Sequence, residues 1–149
     1  MLDLKRCDAA GGLTIDEKER VLFIFKDGRW DLPKGIIEGK RGAADTALAE
    51  VSEETGLPIG RLSVLSELIP TSHISKYKKK RFLKVTRWFL IKYKGKEEAF
   101  APQTDEGIEH CRWIPIWELD LPLGNCPARV SYLVQFWLKA RELIKSKKA

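Results

Sequence analysis

The stretch from Gly35 to Leu57 constrains this chain more than any other. It opens on a glycine loop, Gly35-Ile36-Ile37-Glu38-Gly39-Lys40-Arg41, and leads into a segment carrying Glu50, Glu53 and Glu54. Positions three and four apart fall within roughly 100° of arc on an α-helix. Each like-charged pair on one face weakens an isolated helix by roughly 0.2–0.5 kcal/mol, so a helix that only packs gains nothing from this arrangement. A divalent cation turns the repulsion into ligation, because hard ions such as Mg²⁺ take oxygen ligands. A glutamate-rich face can equally be plain solvated surface, so the setting matters. Here a glycine-rich entry precedes the helix, Gly56 is suited to a left-handed C-cap, and Leu57-Pro58 prevents continuation.

The same stretch resembles the Nudix box, G-x5-E-x7-R-E-U-x-E-E-x-G-U with U aliphatic. Gly35, Glu50, Val51, Glu53, Glu54, Gly56 and Leu57 match at the correct spacing, and Leu32-Pro33-Lys34 is similar to the lead-in of many members. Two positions depart. Arg41 stands where the family has its first Glu, and Ala49 where it has Arg. In the family that Arg orients the catalytic carboxylates. Either Arg41 supplies the cation from the other end, or catalysis is weakened.

The resemblance implies an α/β fold, a Nudix-like α/β/α sandwich with a mixed β-sheet between helices, over residues 1–149 as one domain. It implies a diphosphate hydrolase working by water attack at phosphorus with divalent ions. Carried onto this chain, Gly35 (through its carbonyl), Glu50, Glu53 and Glu54 are the expected ligands of Mg²⁺, with Mn²⁺ as the alternative. Glu53, Glu54 or Glu106 is expected to orient or deprotonate the water. The family often draws a further Glu from the polar loop Pro102–Gly107. Glu106 is the candidate there, with Asp105 and Glu109 as competitors.

The net charge of +6 suits anionic ligands, polyphosphates or nucleic acid alike. Seven of the twelve residues from Lys76 to Arg87 are basic, which reads as a solvated hairpin loop or as a phosphate-attracting rim. Lys34, Arg87, Lys79 and Tyr77 are the candidate substrate contacts, and Tyr77 with Phe82 could stack on a base. His73 reads as a loop residue, with a substrate contact as the alternative. A small-molecule diphosphate is the expected partner, of the dinucleoside polyphosphate or diphosphoinositol type, and nucleic acid is the second partner the charge allows. The rival to hydrolysis is a catalytically impaired Nudix-fold module that binds nucleotides or nucleic acid.

Residues Met1–Arg6 show no apolar run after their charges, and no stretch approaches the roughly 20 apolar residues of a membrane helix. Cys7, Cys111 and Cys126 fit neither a disulfide framework nor a zinc site. A reducing cytoplasm is therefore expected.

Periodicity places the remaining elements. Ala9–Ile15 reads as a strand in which Gly11-Gly12 marks a bulge or close backbone approach. Val21–Phe25 reads as a strand buried on both faces, Asp27-Gly28 as a hairpin turn, and Trp30–Leu32 as the return. A helix is predicted from about Gly42 to Thr55. Leu62–Ile69 reads as a strand that Pro70–His73 breaks. In a strand over Val85–Tyr93, Arg87 shares a face with Phe89 and Ile91 and either snorkels at an edge or points into a polar cleft. A strand over Ile108–Ile114 leads to a short helix near Trp117. Apolar residues at Val130, Leu133, Val134, Trp137, Ala140 and Ile144 predict an amphipathic closing helix from Ala128 to Lys145, with a frayed tail after it.

Overall fold

The computed structural model describes residues 4–148. Its strands are β1 (Lys5–Ile15), β2 (Arg20–Lys26), β3 (Arg29–Asp31), β4 (Lys34–Ile36), β5 (Leu62–Glu67), β6 (Thr71–Tyr77), β7 (Lys80–Tyr93) and β8 (Ile108–Pro115). The helices are α1 (Ala43–Thr55), the short α2 (Asp120–Leu123) and α3 (Ala128–Lys148).

β1 and β7 form the spine. They run parallel in unbroken register from Lys5↔Phe82 to Ile15↔Lys92. Every other pairing is antiparallel: β2 and β4 on β1, β5 and β6 on β7, and β3 and β8 on β2. The sheet is mixed and has an apolar layer on each face. On one face α1 contributes Ala43, Ala47 and Val51 against Ala10, Phe89 and Ile91. On the other, α3 contributes Val130, Leu133, Val134 and Trp137 against Leu13, Phe23 and Trp88. This is an α/β/α sandwich, and the alternation of β7 assigns its residues to the two layers as the period of two requires.

Gly11 and Gly12 are needed for close approach, since the ladder through them is continuous. A Cβ on Gly11 would collide with the Pro33 carbonyl and Trp88, and one on Gly12 with Val51 and Ile91. The Asp27-Gly28 turn has φ 52° and 75°, the left-handed pair that a two-residue hairpin demands. Gly56 caps α1 at φ 80°, its N–H donating to the Ser52 carbonyl.

Two elements differ from the sequence reading. β5 ends at Glu67, before Pro70, and the chain resumes at Thr71 as β6, which pairs along the first half of β7. The basic stretch is therefore a β-hairpin. Its turn residues Lys78 and Lys79 have φ 49° and 63°. Nothing at a Lys-Lys turn advertises the left-handed geometry that Asn-Gly would signal. Also, α3 continues through Lys148 where a frayed tail was expected. Good helix formers occupy its last turns, and Arg141 of α3 pairs with Glu19 at the β1–β2 turn.

Candidate active site

The Gly loop and α1 meet at Gly35. The Glu50 carboxyl lies so close to the Gly35 backbone that a Cβ there would occupy its atoms. β4 holds Gly35 in place by pairing with Ala10, and the Ile37 N–H donates to the Asp8 carbonyl at 2.9 Å. Only a glycine lets the loop lie directly on the carboxylate helix.

Glu50, Glu53 and Glu54 differ in exposure to solvent. Glu53 is exposed, Glu50 half-buried, and Glu54 only 6% exposed. Burial pushes the Glu54 carboxyl up to about 8, against the opposing pull of the Lys34 ammonium. Its Oε2 is buried with no hydrogen-bond partner among the described residues. Burial also raises Glu50, reinforced by Glu53 and Glu106, while the Arg41 charge lowers it. Arg41 thus acts electrostatically on the very carboxylate that Ala49 cannot serve.

Glu106 reaches the site from across the chain. The Ala101 N–H donates to the Thr55 carbonyl at 2.9 Å, and the Gln103 N–H to the Glu54 carbonyl at 3.2 Å. This pins the loop to the end of α1, and the short turn Thr104–Glu106 then carries Glu106 to the rim. The resulting cleft has a volume of about 380 Å³. Besides the three box carboxylates it is lined by Gly35, Glu38, Gln103 and Glu106, and by three cations, Lys26, Lys34 and Lys84. The Lys34 Nζ lies 3.4 Å from Asp31 Oδ2, and Arg129 from α3 approaches the same oxygen at 3.8 Å. Burial lowers the Lys34 pKa.

Of the sequence candidates, Lys34, Gly35, Glu50, Glu53, Glu54 and Glu106 line one cleft. Arg87 lies elsewhere. It takes the snorkelling course, half-exposed and bidentate to Glu67 at 2.9 and 2.8 Å. Tyr77 and Lys79 line neighbouring grooves along the β6–β7 hairpin. Lys84 sits three residues before Arg87 on the opposite face of β7, which is why it reaches the cleft and Arg87 does not. Lys26 and Gln103 carry no motif that would have singled them out. His73 is in β6 opposite Lys84, not in a loop. Its imidazole is held down to about 4 by burial and by Arg129, Lys34 and Lys84.

The donor set is all oxygen, which suits a hard cation. Among the described residues no three acidic, His or Cys side chains converge tightly enough to hold an ion unaided. Mg²⁺ does not need such a cage, since it keeps waters and substrate phosphates among its ligands. The unpartnered Glu54 Oε2 and the Glu50 carboxyl seated on Gly35 are the groups a cation would complete.

A family model described as NUDIX domain matches residues 5–135. A Mycobacterium tuberculosis protein bearing the name MutT4 is 33% identical over 137 residues, covering 83% of this chain and 49% of its own length. The chain thus spans about half of that relative. An RNA pyrophosphohydrolase of Cereibacter sphaeroides is 30% identical over 126 residues, covering 72% of this chain and 75% of its own. A crystal structure of a Caenorhabditis elegans Ap4A hydrolase superposes with a TM-score of 0.69 at 15% identity, over 91% of this chain and 98% of that one. With its box glutamates gathered around Gly35 on this sandwich, the chain belongs to the Nudix family.

Proposed function

We propose that the chain is a divalent-metal-dependent pyrophosphohydrolase, cleaving a diphosphate linkage in a nucleoside polyphosphate or related compound by water attack at phosphorus. The observation that carries this reading is the composition of the cleft, in which Glu38, Glu50, Glu53, Glu54 and Glu106 share the lining with Lys26, Lys34 and Lys84. Such a cleft takes a phosphate chain and a cation together. Glu50, Glu53, Glu54 and the Gly35 carbonyl would hold Mg²⁺ or Mn²⁺, which when bound polarises the phosphorus–oxygen bond and lowers the pKa of water. The lysines hold the phosphate oxygens in line and offset the charge that builds on the leaving group. Glu53, Glu54 or Glu106 accepts the water proton. Before a cation binds, burial, with Glu50 and Asp31 adding to it, raises the proton affinity of Glu54 against the pull of Lys34 and Lys26.

The Cereibacter relative is by its name an RNA pyrophosphohydrolase, and cleavage of a pyrophosphate agrees with this reading. Free thiols at Cys7, Cys111 and Cys126 suit a cytoplasmic setting, and among the described residues no helix is long and apolar enough to cross a membrane.

Phosphate release from nucleoside triphosphates, dinucleoside polyphosphates, nucleotide sugars and diphosphoinositols, with and without Mg²⁺ and beside Glu53→Gln, tests the proposal. Turnover that needs the metal and vanishes in the variant is expected. A ligand that binds equally well without metal and is never turned over would instead establish the impaired binding module that Arg41 and Ala49 suggest.

A further inference from the structure

The three cations of the carboxylate cleft are held differently. Among the described residues Lys26 and Lys84 form no ion pair, whereas Lys34 is paired with Asp31. Both partners of that pair are largely covered, with side chains 16% and 11% exposed. Asp31 closes β3, opposite Ile24 of β2, and Lys34 opens β4, opposite Gly11 of β1. The corner between them is fixed by the Gly12 N–H, which donates to the Pro33 carbonyl at 3.0 Å. The Asp31 carboxylate is fixed too. Its Oδ1 accepts the Leu32 N–H at 2.8 Å. Its Oδ2 meets Lys34 Nζ at 3.4 Å and Arg129 Nη2, from α3, at 3.8 Å.

Asp31 has a competitor. The carboxylates acting most strongly on Lys34 are Asp31 and then Glu54, and of all charges acting on Glu54 that of Lys34 is the strongest. Yet no ion pair joins the two, and Glu54 Oε2 has no hydrogen-bond partner among the described residues. A buried charge stripped of its partner is left uncompensated, which is strongly unfavourable. Without Asp31 the Lys34 ammonium therefore turns to the free oxygen of Glu54. There it would occupy an oxygen that a divalent ion needs, and its charge would oppose that ion at close range.

We propose that Asp31 is a positioning residue that holds Lys34 off Glu54, so that the carboxylates of α1 stay free for a divalent cation while the ammonium stays at the cleft wall for a phosphate oxygen. Arg129 and the Leu32 N–H keep the Asp31 carboxylate in place for this task. The inference rests on the metal-binding part of the function proposed above and not on turnover.

Its test is a double-substitution cycle read as Mn²⁺ affinity, by calorimetry on the metal-free protein without substrate. The four proteins are wild type, Asp31→Asn, Lys34→Met and the double variant. Asp31→Asn should bind Mn²⁺ about tenfold or more weakly than wild type, the usual cost of losing a group that orients a metal site from behind. Lys34→Met should bind at least as tightly as wild type, and the double variant should match Lys34→Met. The thermal midpoint reports that each variant is folded, and Asp31→Ser takes the place of Asp31→Asn in the cycle if the latter does not fold. An unchanged affinity in Asp31→Asn would overturn the proposal. So would an equal loss in both backgrounds, because Asp31 would then act through its own charge or through the fold and not through Lys34. A wild type that binds no Mn²⁺ would overturn both this inference and the metal-dependent reading beneath it. The expected pattern of affinities in a protein that hydrolyses nothing would leave Asp31 in its role and refute the hydrolase alone.

Discussion

Replacing Glu54 by Gln should change how apo-protein stability depends on pH. The carboxyl is 6% exposed, Oε2 has no partner among the described residues, and its pKa rises from 4.5 to about 8. For an acid whose folded pKa is raised, stability is complete below the unfolded pKa and is lost as pH climbs to the folded one. The loss is about 1.4 kcal/mol per pH step within that window. His73 titrates with the opposite sign, because its folded pKa near 4 lies below the usual 6.5. The interval to read therefore runs from pH 6.5 to 8, where His73 is neutral in the folded state and, half protonated in the unfolded chain at the lower end, gives back only about 0.4 kcal/mol in wild type and variant alike. Over it Glu54 should cost the wild type about 1.6 kcal/mol, or about 5 °C in Tm for a chain of this size. The folded value of about 8 already includes the opposing pull of Lys34. The assay is thermal unfolding in EDTA at several pH values. Wild type should lose Tm across the interval, and Glu54→Gln should lose clearly less. The absolute Tm of the variant is not decisive, because a buried amide without a partner carries its own cost of about 1–3 kcal/mol. The slope decides. Identical slopes would refute the account of Glu54 as a buried carboxyl that resists ionisation. Adding Mg²⁺ should restore Tm at pH 8 in wild type far more than in the variant.

Other outcomes follow from the same geometry. Arg41→Ala should lower kcat by about 10²–10³ if its charge replaces the missing box arginine, and an unchanged rate would remove that role. Gly35→Ala forces the loop off the Glu50 carboxyl. It should weaken Mg²⁺-induced thermal stabilisation and turnover together, and a variant with normal metal response would contradict the close seating. Replacing the left-handed Lys78-Lys79 pair by Asn-Gly should stabilise the fold by about 1 kcal/mol, read as a rise of a few degrees in Tm. Removal of Arg87 by Arg87→Ala should change stability by no more than about 1 kcal/mol, since its pairing with Glu67 is exposed, and its kcat/KM should stay near wild type.

Much of the molecule was legible in one dimension because its signals are local. The glutamate spacing on α1, the Gly56 cap, the Asp27-Gly28 turn and the apolar run of β2 each depend on a few neighbouring residues. So does the family resemblance, which lies within Gly35–Leu57. A hairpin loop over the basic run was one of the two sequence readings, but strand β6 was not legible, because Pro70–His73 reads as a break and the turn adopts left-handed geometry with two lysines that ordinarily avoid it.

The site itself divides along the same line. Sequence alone determined that carboxylates would face one way on a helix entered through a glycine loop, since helical geometry follows from spacing. It could not determine which cations would oppose them. Lys84 and Arg87 belong to one basic run, and the pleat of β7 sends them to opposite faces, one into the cleft and one to Glu67. Nor could it place Glu106 at the site. Two backbone hydrogen bonds from Ala101 and Gln103 to the end of α1 do that, and such long-range bonds leave no trace in the pattern of side chains. Burial of Glu54 beneath that loop, and hence its raised proton affinity, is likewise a product of tertiary packing, because desolvation depends on what covers a carboxylate rather than on where it stands in the chain.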